Sequence, residues 1–238
     1  MQFKTLSLIL SLFLATATTQ AAEAWQRTYD KNGESITQLL LFSGDYFSWT
    51  EYKTDSGAFL LTKGGKWTGD RKTLELTYEF HTEDSDRVGQ TETWKMKKKK
   101  GTMRLQRASM KLDGWEQAET ETATPLTNPW LFSGRKRDGE LSRRDTDQPR
   151  KTMKILTNNH FQWIAYNTET KEFFGTGGGA YEAKDGKYIE KIQFFSRDDD
   201  RVGAELEFAF DVQGDDWHHS GFSSSGQPMY EIWSKRTK

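Results

Sequence analysis

The sequence predicts an all-β protein built from two tandem small antiparallel up-and-down β-barrels behind a signal peptide. Three observations predict it. Residues 47–89 match residues 161–203 at 14 of 43 positions, at a constant offset of 114 and without a gap, where average composition gives roughly three matches. Strand-like alternation recurs at short intervals between turn signals. No segment holds a 3.6-residue apolar period of useful length.

The chain opens on MQFKTLSLILSLFLATATTQAAEA. Lys4 precedes an apolar stretch from about Leu6 to Ala15, and small residues with Ala-x-Ala-like spacing follow. This is the pattern of a secretory signal peptide cut between Thr19 and Trp25. The stretch is shorter than the ~20 apolar residues a membrane-spanning helix needs, and no later segment approaches that length. The expectation is a protein exported to the periplasm or beyond, with residues 1–24 removed and no transmembrane segment.

The 238 residues include no cysteine, so disulfides, thiolate chemistry and Cys-ligated zinc are excluded. No cofactor or metal is expected. A formal net charge of −1 gives no bulk electrostatic case for nucleic acid or an anionic membrane. Mean hydropathy is −0.86, yet the chain carries 9 Trp, 8 Tyr and 15 Phe. Few apolar residues, many of them bulky, suit thin β structures whose small interiors are filled by rings.

The repeat divides the chain. A first unit spans 25–117 and a second 130–238, joined by AETETATPLTNP at 118–129; two prolines and few apolar residues mark that stretch as a linker. The second unit begins with a charged insertion, RKRDGELSRRDTDQPRK, at 135–151. In the first unit Leu74, Leu76, Tyr78 and Phe80 alternate with polar residues, which predicts a half-buried strand. The aligned set in the second unit is Tyr188, Glu190, Ile192 and Phe194, so one acid falls on the apolar face. The same test predicts strands at about 36–42, 46–53, 58–67, 89–97, 102–109 and 115–119, with counterparts in the second unit. About eight strands per unit close most simply into a barrel, which removes exposed edges. The shared Asp-Arg-Val-Gly at 86–89 and 200–203 reads as a turn that sets strand register, with an Asp bonding its own backbone and the Gly at positive φ.

The second unit combines Trp130 near its start, Asn-His-Phe-Gln-Trp at 159–163, Gly-Thr-Gly-Gly-Gly-Ala-Tyr at 175–181, Tyr-Ile-Glu-Lys-Ile at 188–192 and the ending Tyr-Glu-Ile-Trp-Ser-Lys-Arg at 230–236. In these residues it resembles the lipocalin-like, calycin-type secreted proteins of Bacteroidota and their relatives. The resemblance implies a calycin-type barrel in which Trp130 packs on Lys235 or Arg236. The first unit has Trp25 but no such basic pair, and neither unit has Gly two residues before its tryptophan.

The ring-bearing residues Trp49, Trp67, Trp163, Tyr181, Phe194, Trp217 and Trp233 are candidates to line the barrels. Rings of this kind either stack a sugar or small apolar molecule or simply fill an eight-stranded barrel. An inward carboxylate at Glu190 needs a cationic or hydroxyl partner, or is held for a ligand or a proton. The expectation is a small-ligand or carbohydrate binding module with Trp163, Tyr181, Glu190, Phe194, Trp217 and Trp233 around the ligand. One rival is a lyase, isomerase or hydratase using Glu190 as general acid or base. Another is a structural envelope protein with no ligand.

Other features carry bland readings. Adjacent His218 and His219 point to opposite faces of a strand. KMKKKKG at 95–101 reads as a solvated hairpin tip. The acidic clusters beside each Asp-Arg-Val-Gly lack the spacing of a calcium loop. Ser223–Ser225 and Gly177–Gly179 lack the context of a nucleophile elbow or a phosphate loop.

Overall fold

The computed structural model describes residues 22–70, 72–119, 122–222 and 226–237. The signal-peptide reading, apart from its last residues, and Ser223–Ser225 lie outside them. The first barrel consists of β1 (Glu23–Lys31), β2 (Glu34–Ser43), β3 (Tyr46–Lys53), β4 (Phe59–Gly69), β5 (Thr73–His81), β6 (Thr91–Lys99), β7 (Thr102–Arg107) and β8 (Met110–Gln117). Each strand pairs antiparallel with the next, and Trp25 opposite Gln117 closes the ring.

The second unit holds β9 (Pro129–Arg137), β10 (Glu140–Arg143), β11 (Arg150–Leu156), β12 (His160–Asn167), β13 (Phe173–Lys184), β14 (Lys187–Phe195), β15 (Glu205–Gln213), β16 (Asp216–Phe222) and β17 (Pro228–Lys235). Pairing of β17 with β9 closes an eight-stranded barrel, and β10 hangs on the outer half of β9 as a hairpin. That hairpin is the charged insertion. Among the described residues no helix is long and apolar enough to cross a membrane.

Alternation missed β1. Its Trp25, Arg27 and Tyr29 share the inward face, and a charged residue in that row hides the strand from a hydropathy test.

Both Asp-Arg-Val-Gly sequences sit in a single 3₁₀ turn, Ser85–Arg87 and Asp199–Arg201. The carboxylates of Asp84 and Asp198 accept from the backbone N–H of Asp86 and Asp200 at 3.1 Å. Gly89 and Gly203 take φ of +88° and +86°, and each donates its N–H back to the preceding strand, at Tyr78 and Ile192.

One prediction fails for a clear reason. Gly64 pairs with Phe80 and Gly65 with Tyr78, leaving Glu79 extra; Gly178 pairs with Phe194 and Gly179 with Ile192, leaving Gln193 extra. A bulge of this kind reverses the inside–outside alternation beyond it. Phe80 and Phe194 therefore leave the barrel interiors, and Phe194 cannot line the second one. Glycine is required here: at φ +155° a Cβ on Gly65 or Gly179 would stand 2.2 Å or 2.1 Å from the carbonyl oxygen of Thr77 or Lys191.

The outward rings pack the barrels against each other. Tyr52 stacks on Phe194 at 5.2 Å, Phe80 meets Tyr166 at 5.0 Å, and Phe59 lies parallel to Phe173 at 6.2 Å. An offset of 114 turns the first pair into the second and the third into itself, so the contact has pseudo-twofold symmetry, the isologous pattern of a homodimer. At its centre Gln162 accepts from Thr50 at 2.9 Å and donates to Thr62 at 3.0 Å and Thr176 at 2.9 Å. Much of the repeated sequence is thus kept by this contact: Tyr52, Phe59, Thr62, Gly64, Gly65 and Phe80, with their partners.

The segment between the barrels is tied down. Leu126 is fully buried in the second core, and its carbonyl accepts from Trp130 Nε1 at 2.8 Å. Buried Glu119 accepts from Thr157 Oγ1 at 2.9 Å and from the N–H groups of Asn158 and Asn159 at 3.1 and 3.0 Å. Burial alone would raise its pKa, but these bonds and His160 outweigh it and hold the carboxyl below its ordinary range. The charged form is therefore favoured by folding. Its contribution is present above the unfolded pKa of about 4.3 and is lost as pH falls through the lower folded value. Glu119→Gln should cost about 1–3 kcal/mol at pH 7, and its melting temperature should fall less steeply than wild type below about pH 4.3. Calorimetry across that range checks both.

Candidate functional site

The two interiors are inverted in polarity. Register equates Leu40 with Lys154, Leu76 with Glu190 and Leu105 with His219, so the first barrel is apolar where the second is polar. It also equates Glu51 with Ala165, Lys63 with Gly177, His81 with Phe195 and Glu92 with Leu206. Here the first barrel is polar and the second is not.

In the second barrel Lys154 Nζ donates to Glu190 Oε1 at 2.7 Å, with both side chains under a tenth exposed. Three rings surround the ammonium, Trp217 at 5.0 Å, Trp233 at 5.1 Å and Tyr188 at 5.2 Å. Full burial and the nearby Glu190 carboxylate push the Tyr188 hydroxyl well above its ordinary pKa. His219 packs edge-on to Phe208 at 4.3 Å, and burial pushes its pKa down.

Of the sequence candidates, Glu190, Trp217 and Trp233 thus meet around a lysine of the chain itself. Tyr181 lies against Tyr188 and donates its hydroxyl to Thr157 O at 2.6 Å, helping to anchor the connecting segment. Trp163 packs edge-on against Phe195 in space left open by Gly177. Phe194 lies between the barrels. Trp130 packs on Trp217 and stands opposite Lys235 in the β9–β17 register, with Lys235 exposed, while the Arg236 guanidinium turns away and lies 3.9 Å from the centre of the Tyr46 ring in an inter-barrel contact.

The first barrel opens into a cleft of about 530 Å³. Trp49 and Trp94 form its floor, with Trp115 edge-on beneath Trp49 at 5.2 Å. Above the rings stand Arg27, Tyr29, Gln38, Glu51, Lys63, His81, Glu83, Asp84, Arg87, Glu92 and Arg107.

Most of these groups restrain one another. Glu92 accepts from Tyr78 at 2.9 Å, from Trp94 at 3.3 Å and from Arg87, with Arg107 at 3.4 Å. Glu51 accepts from Tyr29 at 2.9 Å and Gln38 Nε2 at 2.5 Å. Burial and that hydrogen bond raise the Tyr29 pKa to about 12, so its hydroxyl stays a donor. His81 Nδ1 accepts from the Asp84 N–H at 3.1 Å, which puts the ring proton on Nε2. Burial, reinforced by Lys63, lowers the His81 pKa to about 4, so the ring is neutral at pH 7.

Three lining atoms lack hydrogen-bond partners although buried: Arg27 Nε, Gln38 Oε1 and Trp49 Nε1. The Lys63 ammonium sits over the Trp49 ring at 4.8 Å and makes no hydrogen bond or ion pair among the described residues.

Sequence reading missed this cleft, although the signal applied to Glu190 was present twice more. Glu51 continues the inward row of Phe47 and Trp49, and Glu92 begins that of Trp94 and Met96. Both are acids on apolar faces.

No protein-family model matches the chain, and no curated protein matches it.

Proposed function

We propose that the protein is an exported binding module that takes a carbohydrate in the mouth of the first barrel. The observation that carries this reading is the cleft itself: an aromatic floor beneath a ring of hydrogen-bonding side chains, with three buried polar atoms among them that have no protein hydrogen-bond partner. Sugars present flat C–H faces that stack on rings and hydroxyls that both donate and accept, so they match this mixture. The lipocalin-like resemblance and the signal-peptide pattern support ligand capture outside the cytoplasm. Glu190 is not carried into the site, because Lys154 supplies the partner its burial demands.

The test is calorimetric titration of the full mature chain with a panel of mono- and disaccharides. Trp49→Ala should weaken a binding sugar by roughly tenfold or more, equivalent to ~1.4 kcal/mol, while Trp163→Ala leaves affinity unchanged. Binding lost with Trp163 and kept without Trp49 would place the site in the other barrel.

A further inference from the structure

The cleft's formal charges balance, Arg27, Lys63, Arg87 and Arg107 against Glu51, Glu83, Asp84 and Glu92, but they are not all joined in contact pairs. Arg87 and Arg107 share Glu92, with Arg87 also 3.5 Å from Asp84. Arg27 donates to the Asp113 carbonyl at 2.9 Å. Lys63 alone among them has no acceptor among the described residues. Its cross-strand neighbours are Trp49 and His81, one apolar and the other uncharged at neutral pH. An ammonium has three donors, and holding it half-buried without an acceptor is unfavourable. Burial accordingly lowers its pKa.

Resting on the carbohydrate reading above, we infer that the ligand is a singly charged acidic sugar, of the uronic acid class, whose carboxylate pairs with Lys63. The ammonium lies 4.8 Å over the buried Trp49 ring, so it is Lys63, above the ring, that meets the ligand. His81 Nε2–H is a further donor for its oxygens. The charge is limited to one. Glu51, Glu83, Asp84 and Glu92 stand in the same cleft, so a dianion such as a phosphomonoester would meet repulsion after neutralising the single unpaired cation.

The experiment titrates the full mature chain with D-glucuronate, D-galacturonate, the disaccharides containing them, the methyl esters of the two acids, and the neutral parents glucose and galactose. An acid should bind at least about tenfold more tightly than its ester, a typical gain for a charge-assisted bond. In Lys63→Gln the acid-to-ester ratio should collapse towards one, and Lys63→Arg should restore part of it. Melting curves of each variant verify folding. A wild-type ratio near one with sugars still bound overturns the carboxylate assignment and leaves the carbohydrate site standing. A preference for the acid that survives Lys63→Gln overturns the role of Lys63. Absence of binding by every sugar up to millimolar concentration overturns both this inference and the site reading beneath it.

Discussion

Lys154→Met should destabilise the second barrel by about 3–5 kcal/mol, whereas Lys154→Leu combined with Glu190→Leu should return stability close to wild type or above it. The pair is buried, with a 2.7 Å contact and three rings around the ammonium. Removing one partner strands a carboxylate in a site that water scarcely reaches. Removing both replaces two desolvated charges with apolar atoms. The first barrel already contains that replacement, because its Leu40 and Leu76 occupy the equivalent positions and are completely buried. Urea unfolding of the single and double variants measures the coupling. A double variant as unstable as Lys154→Met would mean that the second interior cannot accept the apolar solution used by the first.

That comparison also explains what was legible in advance. The duplication, the all-β class and the turn role of Asp-Arg-Val-Gly follow from local residue chemistry, and a fixed offset exposes them directly. Glu190 was identifiable as an inward acid in need of a partner. Lys154 was not, because it lies 36 residues away and becomes its neighbour only through barrel closure.

Phe194 was misplaced because period-two reasoning assumes an unbroken pleat, and the extra residue Gln193 breaks it. The cleft was overlooked for a different reason. Its charged residues come one each from five of the eight strands, together with Glu83, Asp84 and Arg87 between β5 and β6, so no local run of sequence accounts for the whole set. The inter-barrel contact left a trace in the run from Thr37 to Ser43, where every residue is buried. A strand with one face in a barrel and the other in solvent alternates. A strand buried on both faces does not.

Arg236→Met should cost about 3 kcal/mol or more and should weaken both barrels together. Arg236 follows the last strand, yet its guanidinium donates to the two carboxylate oxygens of Glu79 in the first barrel at 2.9 and 2.8 Å. Tyr166 donates to the same carboxylate at 2.5 Å and accepts from Arg236 at 3.0 Å. The fork binds bidentately, which lysine cannot reproduce. Glu79 is also one of the extra residues at the bulges, so the irregularity that sends Phe80 outward presents this acid to the other barrel. Its counterpart Gln193 carries no charge, and the pseudo-symmetric contact is therefore fixed by a clamp on one side only. Hydrogen exchange gives the decisive measurement, since amides of β5 and β12 should both lose protection in Arg236→Met if the clamp couples the barrels. Loss confined to β17 and the residues after it would instead mean that Arg236 secures only the chain end.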